Sequence, residues 1–184
     1  MRKIILLFAV LITFSLTSGC IADSAAPSRD ATDNPIINRT IDHLLEQDLE
    51  KLLALVEFNQ QPCTTADGLG GPPKCAEGIE NGTIETFFPV LGPGEGAHLN
   101  PDQIQTIFDY RDPQLYQVVF VEFPENPDEI FPAGNYAVVL AIEPHGFARS
   151  FRLDDEGKIV RVDFTAWSAE EEAERIQGEI LFSN

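Results

Sequence analysis

From Leu115 onward the apolar residues repeat every second position, and this period constrains the fold more than any other feature of the chain. Leu115–Phe123, Tyr136–Glu143, Gly146–Leu153 and Lys158–Ala166 are rich in Val, Ile, Phe and Tyr and are parted by turn residues. That is the pattern of strands with one buried face. Pro144-His145-Gly146 and Asp154-Asp155-Glu156-Gly157 are short reversals, so the last three runs are expected to form an antiparallel meander. Asn126-Pro127 and Pro132 mark a looser loop between the first two. Ser168 with Glu171 three places later is a capping pattern and predicts a terminal acidic helix from Ala169 to about Gln177. Within it, Glu170-Glu171-Glu172 reads as a solvated face.

The first part of the domain has a different period. Asn34 can cap a helix that Pro35 opens, and Ile37, Ile41, Leu44 and Leu45 share one of its faces. Gln47-Asp48 interrupts that face, and Asp48 can cap a second helix carrying Leu49, Leu52, Leu53 and Val56. Glu50 lies in its first turn, where the helix dipole favours an anion. Asn59-Gln60-Gln61-Pro62 stops it. Cys63 to Gly96 is rich in Gly and Pro and predicts mostly irregular structure, with a short strand over Thr83–Phe88 that ends at Pro89 and a turn at Gly92–Gly96. Asn100-Pro101-Asp102-Gln103 predicts one more short, capped helix, with Ile104, Ile107 and Phe108 as its apolar face.

Arg2 and Lys3 precede the uncharged apolar stretch Ile4 to Leu16, the size of a signal-peptide core and too short to span a bilayer. Leu16-Thr17-Ser18-Gly19-Cys20 resembles the bacterial lipobox, in which the signal is cut before a cysteine that is then acylated. Thr17 stands where an aliphatic residue is usual. Residues 1–19 are therefore expected to be a lipoprotein signal, Cys20 the lipidation site, 20–34 a polar tether, and 35–184 a single domain. The expected location is extracytoplasmic, with lipid on Cys20 holding the protein to the bacterial membrane or envelope. If lipid takes Cys20, Cys63 and Cys75 remain as a pair, and in an oxidising compartment a disulfide is the expected state. Two thiols with no His between them make a poor zinc set, and a redox pair is more often C-x-x-C.

Twelve Lys and Arg face 30 Asp and Glu, a formal charge of -18. Removal of Arg2 and Lys3 with the signal leaves ten basic residues and a charge of -20. No basic run is present to neutralise phosphates, which excludes nucleic acid as a partner. Gly68-x-Gly70-Gly71 has no Lys-Ser/Thr after it, so it is not a phosphate loop, and no serine-hydrolase motif occurs. His43, His98 and His145 are scattered without metal-ligand spacing. Neither a metal nor a cofactor is expected.

The order of two helices, an irregular crossing and several long strands resembles the NTF2-like (SnoaL-like, cystatin-cone) superfamily over about Pro35 to Ala166. Gln47-Asp48-Leu49-Glu50-Lys51-Leu52-Leu53-Ala54-Leu55-Val56 is similar to that family's second helix. Phe151-Arg152-Leu153-Asp154-Asp155-Glu156-Gly157-Lys158-Ile159-Val160-Arg161 is similar to the hairpin before its last strand. The resemblance implies an α+β cone, with two N-terminal helices packed on a curved antiparallel sheet around a pocket. The disulfide loop departs from that pattern. Members of the superfamily include isomerases, dehydratases, cyclases and non-catalytic binding or association domains, so the fold does not choose among them. Its enzymes use a pocket Asp or His with hydroxyl or imidazole partners, and no residue here can be matched to one.

Arg149 is the most pointed candidate. Alternation puts it on one face with Phe147, Phe151 and Leu153, and a buried Arg needs an anionic partner or ligand. On the next strand Val160, Val162 and Phe164 form an apolar face and Arg161, Asp163 and Thr165 a polar one; hairpin register can bring Arg149 near Asp163, and a structural ion pair or an exposed, snorkelling tip stands ahead of an anchor for an acidic ligand. Phe87, Phe120, Tyr136 and Trp167 complete the expected pocket lining. The leading expectation is a non-catalytic domain binding a small apolar or acidic ligand, or a partner protein. An acid–base enzyme of the same fold and an envelope protein that dimerises through its sheet are the alternatives.

Overall fold

The computed structural model describes residues 30–67, 71–122, 129–142 and 146–184. The expected signal 1–19, Cys20, the expected tether as far as Arg29, and His145 lie outside the described residues. Near the start of the described residues, Ala31 is 3% exposed and belongs to the main core. Thr32 is tied to Asn38: the Asn38 amide donates to Thr32 O at 2.7 Å, and Thr32 N–H donates to Asn38 Oδ1 at 2.9 Å.

Helix α1 spans Pro35–Glu46, with the Asn34 side chain accepting from Ile36 N–H as the cap. It ends at Gln47, whose backbone is left-handed (φ 56°). Asp48 caps α2, Leu49–Leu55, by accepting from Lys51 N–H. The expected break falls between these two helices.

Eight strands follow: β1 Asn59–Pro62, β2 Ile84–Leu91, β3 Gly96–Leu99, β4 Pro113–Val121, β5 Tyr136–Ile142, β6 Phe147–Leu153, β7 Ile159–Ser168 and β8 Gly178–Ser183. A 3-10 helix, Pro101–Phe108, stands between β3 and β4 with the expected Asn100–Gln103 capping box. Helix α3, Ala169–Arg175, stands between β7 and β8 and is capped reciprocally by Ser168 and Glu171.

The sheet order is β1-β2-β7-β6-β5-β4-β8, with β3 also paired to β2. Strands β5 to β7 form the expected antiparallel meander, and β4 extends it by pairing antiparallel with β5. The sheet as a whole is curved and mixed, because β2 lies parallel to β7, with Val90 opposite Val162. Three differences from the sequence reading share one cause, which is pairing with a distant segment. Strand β2 runs through Pro89 to Leu91 because β3 and β7 flank it. Gln60 and its neighbours, read as a helix stop, pair with β2 as β1. The chain does not end on α3: it turns back and adds β8 to β4.

Helices α1 and α2 and the 3-10 helix cover one face of the sheet. Ile37, Ile41, Leu44 and Leu52 meet Phe88, Val118, Leu140 and Phe151 there in the main core. Helix α3 crosses the opposite face, where Ala169 packs on Val139 and Ala148. The β6–β7 turn is locked to α1, since Thr40 Oγ1 donates to Gly157 O at 3.0 Å. Gly157 has φ +76°, and a Cβ there would lie 2.9 Å from both Ile36 Cγ2 and Thr40 Oγ1, so this close approach requires glycine.

Cys63 and Cys75 form a disulfide across a sequence separation of 12. Closing a loop of that size is worth about 3 kcal/mol in the chain-entropy model. Among the described residues, no helix is long and apolar enough to cross a membrane.

Candidate functional site

Alternation along β6 explains what the strand offers to each side of the sheet. Phe151 and Leu153 enter the main core, and Arg149 lies on the same face one pleat nearer the strand's start. Here β5 and β6 pass the exit of the 3-10 helix and leave a cavity of about 310 Å³. Tyr110, Ile142, Phe147, Arg149 and Phe164 are among its walls.

Arg149 is held in three ways. One terminal nitrogen donates to Ile107 O at 2.7 Å. The guanidinium carbon lies 4.5 Å from the Phe164 ring centre and 5.2 Å from that of Tyr110, both cation–π distances. No carboxylate of the described residues lies within 4.0 Å of it. Burial pulls its pKa down, against the opposing influence of Tyr110 and Asp109. Among the described residues this largely desolvated cation has no ion-pair partner, and it faces an open cavity.

Tyr110 is a wall rather than a reactant. Its hydroxyl donates to Leu44 O at 2.9 Å, and burial pushes its phenol well above the usual tyrosine range. Asp109 and Arg111 at the rim are exposed.

The other expected lining residues do not gather round Arg149. In the hairpin register Arg149 faces Phe164 and Ser150 faces Asp163, so Asp163 projects to the opposite side of the sheet. The expected Arg149–Asp163 approach is therefore replaced by a different network. Asp163 accepts from Arg152 Nε at 3.0 Å, from Arg161 Nε at 2.7 Å and from Arg161 Nη2 at 3.0 Å. Trp167 is on this side too, with the Arg175 guanidinium carbon 5.1 Å from its ring centre. Phe120 and Tyr136 form an edge-to-face pair where β4 and β5 run together, centroids 5.3 Å apart. Phe87 is buried near the disulfide loop, edge-on to His98.

Glu172, read as part of a solvated face, is buried and accepts from Ser150 Oγ at 2.9 Å. Burial raises its pKa, with Asp163 adding to the shift and Ser150, Arg152 and Arg175 opposing it. Sequence reasoning passed over Arg152, Arg161 and Glu172. The available signal was two arginines on adjacent predicted strands with a single Asp beside them.

His98 packs between Phe131 and Phe87, and its buried Nε2 has no hydrogen-bond partner among the described residues. Burial lowers its pKa and favours the neutral ring. The one grouping of metal-type atoms among the described residues is Cys63, Cys75 and Glu85, and there both sulfurs are committed to the disulfide.

No family model, curated protein or solved structure matches the chain. Function must be argued from the two faces of the sheet themselves.

Proposed function

We propose that this chain is a membrane-anchored extracytoplasmic lipoprotein whose NTF2-like domain binds, without catalysis, a small ligand with an anionic head and an apolar body. The observation that carries the binding reading is Arg149: a mostly buried guanidinium with no ion-pair partner among the described residues, bordering a cavity of about 310 Å³. A carboxylate or similar oxyanion would supply the missing charge and use the guanidinium fork. Phe147, Ile142 and Phe164 offer apolar contact to the remainder of the ligand.

Among the described residues that line this cavity, neither Tyr110 nor Asp109 is placed as a general acid or base, which favours the binding reading. A general acid or base needs reach to substrate and a pKa near the working pH. Tyr110 has its proton committed to Leu44 O and its pKa raised, and Asp109 is exposed at the rim. The cone reading draws support from the curved sheet with α1 and α2 on one face and the core between them.

The binding reading predicts that hexanoate and benzoate titrate into the protein saturably by calorimetry, and at least tenfold more tightly than hexanamide and benzamide. Arg149→Met is expected to abolish that preference, while Arg149→Lys, lacking the planar fork, keeps part of it. Equal affinity for acids and amides in the unaltered protein would overturn the reading.

The anchor rests on Cys20 and the segment before it. Mass spectrometry of the mature protein is expected to find residues 1–19 removed and Cys20 acylated. An unmodified N-terminus at another position would remove the anchor from the proposal and leave the binding reading standing.

A further inference from the structure

The recess beneath α3, on the side of the sheet away from Arg149, has a composition at odds with the rest of this acidic chain. It encloses about 230 Å³, and Arg152, Arg161 and Arg175 all border it, with Asp163, Glu172 and Trp167. Arg152 is only 9% exposed. Its Nε donates to Asp163, and its two terminal nitrogens donate to no protein group among the described residues. Neither of those nitrogens is sealed from solvent, since the fully enclosed unpartnered atoms belong to other residues. Arg161 is different: Nε and Nη2 are spent on Asp163, and Nη1 donates to Phe131 O at 2.9 Å.

We propose that this recess is a second binding site, taking a small soluble oxyanion that carries a flat apolar group, with Arg152 as its anchor. A guanidinium has five N–H donors, and four of those on Arg152 are unused and lie on two terminal nitrogens, the geometry that meets two oxygens at once. Keeping so buried a cation with one bond made is costly unless something else satisfies it.

The two carboxylates do not block an anion. Asp163 already receives three charge-assisted bonds. Glu172 takes up a proton more readily than an ordinary glutamate, because it is desolvated and faces Asp163. Arg152, Arg161 and Arg175 therefore outweigh what opposes them. Trp167, with Arg175 over its ring and Pro93 across the recess, provides a wall for the flat group. A soluble ligand is favoured over a lipid headgroup because a chain of net charge -18 is repelled by an anionic bilayer.

Trp167 is the chain's single tryptophan, so its fluorescence reads this recess and not the Arg149 cavity. Titration of the full chain with phenyl phosphate is expected to give a saturable change in that signal, competed by inorganic phosphate. Phenol at the same concentrations is expected to leave it flat. Arg152→Met should weaken the phenyl phosphate response at least tenfold. Arg175→Met, at an exposed position, should weaken it about threefold or more. Arg39→Met, an exposed cation on α1, should leave the curve where it is. A non-saturating response, an equal response to phenol, or a curve that Arg175→Met does not move would overturn the proposal. A response to phosphatidylglycerol vesicles without one to phenyl phosphate would overturn its soluble ligand.

Discussion

Asp163→Ala is expected to destabilise the domain by about 3–5 kcal/mol, the scale seen when one member of a buried ionic network is removed. Register fixes the reason. Arg152 sits directly opposite Arg161 across the β6–β7 ladder, and both are nine-tenths buried. Asp163 is the only carboxylate of the described residues within ion-pair distance of either. Without it, two guanidinium groups, each nine-tenths buried, face each other, and like charges directly opposed on a sheet are destabilising even at the surface. Urea unfolding followed by circular dichroism would measure the loss, and a thermal melt should fall by roughly 10 °C. A loss under about 1 kcal/mol would mean that solvent in the adjoining recess screens the pair. Converting the whole group to apolar residues (Arg152→Met, Arg161→Met, Asp163→Leu) is expected to recover most of the stability, because complete buried ionic clusters commonly exchange for apolar ones at little net cost. That recovery would separate what the cluster does for folding from what its open donors do for a ligand.

Phe151→Ala is expected to cost a similar amount, about 3–5 kcal/mol, for a different reason. The ring is fully buried, parallel to Phe108 at 6.1 Å between centroids and edge-on to Tyr110 at 5.9 Å. It joins the strand that carries Arg149 to the two aromatics that leave the 3-10 helix. Deleting it removes both ring contacts and opens a hole that a curved sheet and three helices cannot close by collapse. Tyr110 would lose a neighbour while still holding Leu44 O, so the Arg149 cavity is expected to lose ligand affinity along with the fold's stability. Phe151→Leu keeps much of the volume and should recover more than half of the loss in the same unfolding measurement. Equal destabilisation by Leu and Ala would show that ring stacking, rather than filled space, carries the contribution.

The two substitutions also show which parts of the molecule are legible in the chain. Local signals carried well: Asn34-Pro35 and Asp48 cap the helices they were expected to cap, and the meander of β5 to β7 follows from alternation and turn residues. Arg149 was visible because a cation on an apolar strand face conflicts with the pattern around it. Non-local pairing was not legible. Gly178–Ser183 is six residues at the chain's end and becomes a strand only because β4 is there to receive it. The Arg152–Asp163–Arg161 network depends on a hairpin register in which a slip of one residue exchanges the two faces of the strand. Alternation and turn residues alone pointed to Arg149 as the neighbour of Asp163, one residue away from the register the hairpin adopts. Glu172 was read from its acidic neighbours, whereas its burial comes from α3 lying across Ser150.

The parallel contact of Val90 with Val162 has a consequence for how the molecule comes into being. The strand that follows the disulfide loop pairs with a neighbour far along the chain, on the other side of the whole meander, and β8 returns from the chain's end to pair with β4. Contacts so distant along the chain place the domain among slow folders, on the order of milliseconds to seconds rather than microseconds. During that interval the apolar side of β2 has no β7 beside it, and the Cys63–Cys75 link is the one long-lived restraint that can form in its vicinity without waiting for the C-terminal half. The loop that interrupts the helix-to-sheet order thus gives the early half of the chain a foothold of its own.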